Sequence, residues 1–243
     1  MKKRKLPRKA FEKDGVVLVF SFATTPNPKL STSGRAIVQT YTYSKEQIDY
    51  VKKCMDANEK VDQPTFYKLA NANCMDCPFR DYGKCYTHKG KQTLGFITQI
   101  KFLIRENYIE PMPKEIPKEI LKWCKWSYVR FGTYGEPTKI PLDWVVKMAS
   151  ASYNFTGYTH QWRKAKGYEK YFMASTHSKL ETKLASECGY RSYMTTNDLS
   201  FKDKNFIKCP ASKEVGRKMS CEDCGLCKGV SHSSKRNIVI VEH

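Results

Sequence analysis

The sequence has no apolar run long enough to span a bilayer, and its basic N-terminus is not followed by the apolar core of a secretory signal. These two absences argue against a membrane span and against export, and the expectation is a soluble, cytoplasmic protein. Acidic residues are scarce as well, since 24 Asp and Glu face 43 Lys and Arg for a net charge of +19. Such a surplus repels basic partners and attracts polyanions, so nucleic acid is the expected partner, with a Lys-rich surface that serves only solubility as the alternative. Without an export signal, the ten cysteines are expected as reduced thiolates holding metal rather than as five disulfides.

What is present in their place is cysteine in groups. Cys74, Cys77 and Cys85 lie within twelve residues, and Cys209, Cys221, Cys224 and Cys227 form a second group near the C-terminus. Two-residue gaps let neighbouring thiolates converge on one centre, so both groups are expected to bind metal. In the second group, Cys209 is followed by Pro210 and ten residues before CxxCxxC. A four-iron cluster and a four-cysteine zinc knot satisfy that spacing equally. The first group is one ligand short. His88, three residues past Cys85, would close a zinc site of three cysteines and one histidine. Alternatively the fourth iron of a cluster stays open for a cofactor or substrate, as catalysis requires, or the two groups share one site.

At 243 residues the chain can bury one core. The expected organisation is a basic arm over residues 1–12 and one α/β domain over 13–243, with a metal-binding insert at 70–90 and the second Cys-rich segment at 205–230. Residues 15–22 (GVVLVFSF) read as a buried strand closed by Thr25-Pro26-Asn27-Pro28, and residues 36–43 (AIVQTYTY) as a second strand by their alternation. From Ser44, with Gln47 at the capping-box position, Ile48, Val51, Cys54 and Met55 recur at helical spacing, which makes Cys54 a core residue. Residues 92–107 read as a helix with a long apolar face. A second helix follows the prolines at 111, 113 and 117, and packing accounts for its Trp123, Trp126 and Cys124.

Three strand-to-helix units come next. Residues 128–131 end in Gly132-Thr133-Tyr134-Gly135-Glu136-Pro137 before a helix near 141–150. Residues 154–158 end at Thr159-His160-Gln161-Trp162. Residues 171–175 end at Thr176-His177-Ser178, followed by a helix near 179–188, a stop at Gly189 and a strand at 190–195. Repeated units of this kind predict parallel strands with crossover helices, as in a partial or distorted (β/α) barrel, with polar residues gathered at the carboxyl edge of the sheet. Gly132 and Gly135 would let the backbone approach a bound cofactor, or else form a tight turn in which Glu136 caps the next helical turn. His160 and His177 are candidate ligands or proton carriers, with satisfied structural histidines as the bland alternative. Tyr158, Trp162, Arg163, Lys164 and Lys166 interleave rings and cations as a base-stacking surface would, and packing beside a solvated loop explains them nearly as well.

The combination of CMDCPFRDYGKCY, VRFGTYGEP, FTGYTHQW, FMASTHS, KCPAS and SCEDCGLC, ending in NIVIVEH, resembles a family of uncharacterised bacteriophage and plasmid proteins over roughly residues 70–243. That resemblance implies a setting in the infected host cell. A three-cysteine group ahead of βα units and a Gly-Glu-Pro turn is also similar to radical S-adenosylmethionine enzymes, whose usual spacing is three residues and then two. That likeness implies an iron–sulfur enzyme using S-adenosylmethionine on nucleic acid or nucleotides, with Glu136 binding an amine or hydroxyl. A zinc protein that binds nucleic acid without catalysis is the competing expectation.

Overall fold

A computed structural model describes residues 7–24, 30–80, 85–88, 92–216 and 219–241. The turn expected at 25–28, residues 1–6 of the basic arm and the link at 81–84 lie outside them. Strands β1 (Arg8–Lys13), β2 (Val16–Ala23) and β3 (Ile37–Ser44) open the chain. They are followed by helices α1 (Lys45–Asp56), α2 (Gln63–Lys68), α3 (Asn71–Cys74) and α4 (Gln92–Arg105), then β4 (Ile109–Pro111) and α5 (Lys118–Cys124). The βα region comprises β5 (Tyr128–Tyr134), α6 (Leu142–Ala151), β6 (Asn154–Thr156), β7 (Tyr158–Thr159), β8 (Met173–Thr176), α7 (Lys179–Glu187) and β9 (Ser192–Thr196). The chain ends with β10 (Phe206–Lys208), α8 (Cys221–Cys224) and β11 (Asn237–Val241).

The fold is mixed α/β. One sheet has the order β4-β1-β2-β3-β5-β6 and the other β10-β11-β9-β8-β7. The second sheet is parallel throughout, and in the first β3, β5 and β6 are parallel, with β1, β2 and β3 joined antiparallel. The chain passes from one sheet to the other at Gly157, where a Cβ would stand 2.4 Å from Cδ1 of Phe172. Strands β3, β5 and β6 point one way in the first sheet, as do β7, β8 and β9 in the second, and a hydrogen bond from the His160 N–H to Glu136 joins the carboxyl ends of β5 and β7. Among the described residues no helix is long and apolar enough to cross a membrane.

The apolar run of β2 is explained by cover on both faces. Val16, Leu18 and Phe20 join a core with Ile120, Trp123, Trp144 and Met148 of α5 and α6. Val17 and Val19 join another with Ile48, Val51, Ile97 and Ile100 of α1 and α4. The expected start of α1 is present, since Ser44 Oγ accepts from the Gln47 N–H and Gln47 Oε1 accepts from the Ser44 N–H, each at 3.1 Å. Cys54 and Cys124 are buried core residues, as their spacing implied.

The structure differs from the sequence expectation at several points. Arg8 to Lys13 belong to strand β1 rather than to a loose arm, because Ala10 and Phe11 are buried against β2. Trp123 packs, stacked on Phe22, but Trp126 is 68% exposed, since α5 ends before it and a φ of +62° turns it outward. β5 runs on through the expected turn to Tyr134, with a register shift opposite Gln39–Tyr41 and Gly132 at φ +67°. The second strand-to-helix unit lacks its helix, and only one 3-10 turn, Tyr168–Lys170, lies between β7 and β8.

Candidate functional site

At the carboxyl edge, Gly135 (φ +72°) turns the chain out of β5 and the Glu136 N–H donates to the Asn73 carbonyl at 2.8 Å. The carboxylate of Glu136 is buried. Its Oε1 accepts from the N–H (3.2 Å) and hydroxyl (3.0 Å) of Thr138, and its Oε2 accepts from the His160 N–H (3.2 Å). The Thr159 hydroxyl adds a further hydrogen bond, so the group's roughly four lone-pair positions are filled. Burial pushes the carboxyl above its usual range, and these hydrogen bonds pull the other way. Glu136 is thus both the cap of the turn after β5 and the anchor of the chain at His160.

The clearance at the two glycines is taken up by the chain's own atoms. A Cβ on Gly132 would meet the Pro137 ring at 3.0–3.2 Å, and one on Gly135 would meet Thr42 Oγ1 at 2.0 Å and the Thr42 carbonyl oxygen at 2.7 Å. Gly135→Ala is therefore expected to lower stability by about 2–5 kcal/mol, combining left-handed backbone strain with overpacking. Gly34→Ala, at φ +77° with open space around it, should lose only about 1–2 kcal/mol. Thermal melting of the two variants separates the clash from the strain, and equal losses would contradict the tight approach at Gly135.

His160 and His177 follow the neighbouring strands β7 and β8, which sets them side by side. Their Nε2 atoms are 3.3 Å apart, a hydrogen-bonding separation in which one nitrogen carries the proton and the other accepts. Nδ1 of His177 meets the Thr195 hydroxyl of β9 at 2.7 Å, and the His177 N–H donates to Glu181 Oε2 at 2.7 Å. Burial, aided by the neighbouring His177, holds His160 down at about 3, so it is neutral at physiological pH. Phe79 lies edge-to-face on His177 with ring centres 4.4 Å apart, and Asp76 pairs with Lys164 at 2.7 Å. The first contact ties the first cysteine loop to the histidine pair, and the second ties it to the segment that follows His160.

That loop is built on α3. The Cys77 N–H donates to the Cys74 carbonyl and the Arg80 N–H to the Cys77 carbonyl, each at 3.1 Å, and the Cys85 thiol lies 3.1 Å from the Thr87 hydroxyl. Burial first, then Cys77, Cys85 and the Glu136 carboxylate, push the Cys74 thiol up, and burial pushes Cys77 up to about 12. The three thiols and Glu136 are therefore within electrostatic reach of one another. His88 is buried against the Tyr67 ring, and that burial holds its imidazole down at about 4.

The second cysteine group surrounds Cys227, which is buried with Met173 and Ile238. Cys209, Cys221 and Cys224 all act on its thiol, and Tyr158 makes a side-chain hydrogen bond to it. The Glu222 N–H donates to the Leu30 carbonyl at 2.9 Å, Glu222 pairs with Arg35, and Asn154 donates to the Glu222 carbonyl. Nη1 of Arg191 reaches the Leu226 (2.9 Å) and Gly229 (2.8 Å) carbonyls. These contacts fasten the segment to the amino ends of β6 and β9.

The two groups sit at opposite ends of β5. Cys221 packs on Tyr128, its first residue, and Cys74 acts on Tyr134, its last. The strand spans roughly 20 Å. This separation removes the expectation of one shared site. Among the described residues no three His, Cys, Asp or Glu side chains are arranged as they stand to hold a metal ion.

The expected stacking surface around Trp162 is not open. Trp162 is 3% exposed with Nε1 donating to the Ser175 carbonyl at 3.3 Å, Tyr158 lies with the second cysteine group, and Arg163 covers the Trp162 ring at 3.8 Å. Thr195, Thr159, Phe79 and Asn73 complete the site although no spacing marked them, because each contributes through a neighbour distant in sequence. The chain matches no protein-family model, no curated protein and no solved structure.

Proposed function

We propose that the protein is a metalloenzyme of the radical S-adenosylmethionine type on a partial (β/α) barrel, with an iron–sulfur centre at Cys74, Cys77 and Cys85, acting on nucleic acid or nucleotides. The observation that carries this reading is a gathering. Cys74 and Cys77, Glu136, and the His160–His177 pair come from separate stretches of chain and meet at the carboxyl edge of the parallel strands, where α/β proteins place their sites. Thiols that only fastened the fold would have no need of that company.

Three soft sulfur donors in electrostatic reach suit a thiophilic centre, which would draw them closer as they lose their protons. Such a cluster supplies electron transfer to a bound cofactor. Glu136 would take an amine or hydroxyl of the ligand in exchange for one of its threonine hydroxyls, since its backbone donors cannot turn away. His160 and His177 would hold or pass one proton across their shared hydrogen bond, and Phe79 shields that pair from water.

The second cysteine group favours a structural centre, of zinc or iron and sulfur, because Cys227 and Cys209 lie among Met173, Ile238, Tyr158 and Tyr193 and its contacts tie strand beginnings together. Anaerobic purification tests the whole reading. A brown protein with visible absorption and bound iron, whose iron content falls by one cluster in Cys77→Ser, is the expected result. A colourless protein carrying two zinc ions overturns it in favour of a zinc-binding, non-catalytic protein.

A further inference from the structure

With Trp162 buried and Tyr158 packed on the second cysteine group, a surface for a polyanion has to be sought elsewhere. The segment after β9 returns along the second sheet to β10 and lines an open cavity of about 350 Å³ with Phe201, Lys202, Asp203, Lys204, Phe206, Lys208 and Val239. Its wall combines two things a nucleic-acid strand requires. Phe201 and Phe206 stand edge-to-face with centres 5.2 Å apart, and both keep part of their surface exposed. Lys202, Lys204 and Lys208 are exposed, so three cations face a single carboxylate. That carboxylate is already used, because Asp203 pairs with Lys179 at 2.9 Å and accepts from the Asn205 N–H at 2.9 Å. Lys179 also lies 5.2 Å from the centre of the Phe201 ring.

The place of the cavity links it to the candidate site. Lys179 follows His177 by two residues at the start of α7, and Phe201 follows the His177 partner Thr195 by six. We infer that this cavity is a binding site for single-stranded nucleic acid, in which a base lies against the Phe201–Phe206 wall and the flanking phosphates meet Lys202, Lys204 and Lys208. A flat duplex surface would not use the rings, because bases in a duplex are already stacked, whereas an unpaired base has a free face for an aromatic wall. The inference rests on the reading of nucleic acid as substrate and supplies the surface that holds the strand beside the histidine pair.

Fluorescence anisotropy with a labelled thymidine single strand of about 15 nucleotides, long enough for a compact single-strand site, is the direct test. The same preparation is assayed for iron, so that failure of the metal reading and failure of this one are seen separately. Lys202→Glu with Lys204→Glu should weaken binding by at least about tenfold and flatten its salt dependence. Phe201→Leu keeps the apolar bulk and removes the ring, and should weaken it about 5- to 100-fold. A charge reversal at the exposed Lys52 of α1, far along the chain, should change it by less than about twofold. Three outcomes overturn the inference: tighter binding of a duplex than of the single strand, unchanged affinity in Phe201→Leu, or equal losses from Lys52→Glu and the loop variants.

Discussion

Under the proposed four-thiolate centre, replacing Cys227 with serine should abolish its metal and lower stability by about 5 kcal/mol or more, since structural zinc contributes about 10–16 kcal/mol in zinc-finger peptides. In a chain of this size that corresponds to a fall in melting temperature of about 10–20 °C. The effect is large because the segment around Cys227 is what Arg191, Asn154 and Arg35 grip, so its release frees the beginnings of β6 and β9 together. Cys224→Ser makes the prediction sharp. Cys224 is only half-buried, so without metal its replacement should change stability by less than about 0.5 kcal/mol, as surface substitutions do. With a metal, it should be about as damaging as Cys227→Ser. Calorimetry with metal analysis of both variants decides, and an indifferent Cys224→Ser that retains the metal content of the parent rules out this four-thiolate centre.

The second large effect is on acid stability. His160 is held at about 3 in the folded protein by burial and by His177, whereas a free imidazole titrates near 6.5. The unfolded chain therefore binds the proton more readily. Stability from this group is fully present above about pH 6.5 and is lost as pH falls toward its folded value, by about 2 kcal/mol between pH 7 and pH 5. Glu136 works in the opposite sense, because its raised carboxyl withdraws stability as pH rises through its range. His88, held at about 4, adds to the acid loss. Comparing wild type with His160→Asn isolates one share of these effects. Urea midpoints should fall more steeply toward pH 5 in the wild type, and parallel pH profiles would mean that His160 is not held neutral by the fold.

Much of the fold was legible in local pattern. The capping pair Ser44 and Gln47, the apolar run of β2 and the first and third strand-to-helix units after residue 128 are properties of neighbours in the chain, so periodicity and end signals report them. Strand β1 was hidden because its four outward or half-exposed residues are charged and only Ala10 and Phe11 are buried apolar residues. Strands β10 and β11 were missed as sheet members because their pairing in the order β10-β11-β9 is fixed by partners tens of residues away. The rings at Tyr158 and Trp162 looked like a surface because interleaved rings and cations report side-chain type, whereas their cover comes from residues distant in sequence, the second cysteine group for Tyr158 and Ser175 for Trp162.

For the site, the residues by themselves determined its ingredients: two cysteine groups of different completeness, a Gly-Glu turn after one strand and a histidine after each of two others. Their chemistry follows from side-chain type, which needs no fold. Tertiary structure alone decided which ingredients meet. It set the groups at opposite ends of β5, placed the incomplete one beside Glu136 and the histidine pair, and left the complete one under the strand beginnings. The physical reason is that residue identity and spacing constrain a few neighbouring dihedrals, whereas the meeting of Cys74, Glu136, His160 and His177 depends on parallel strands that hydrogen-bond only after the chain between them has folded back.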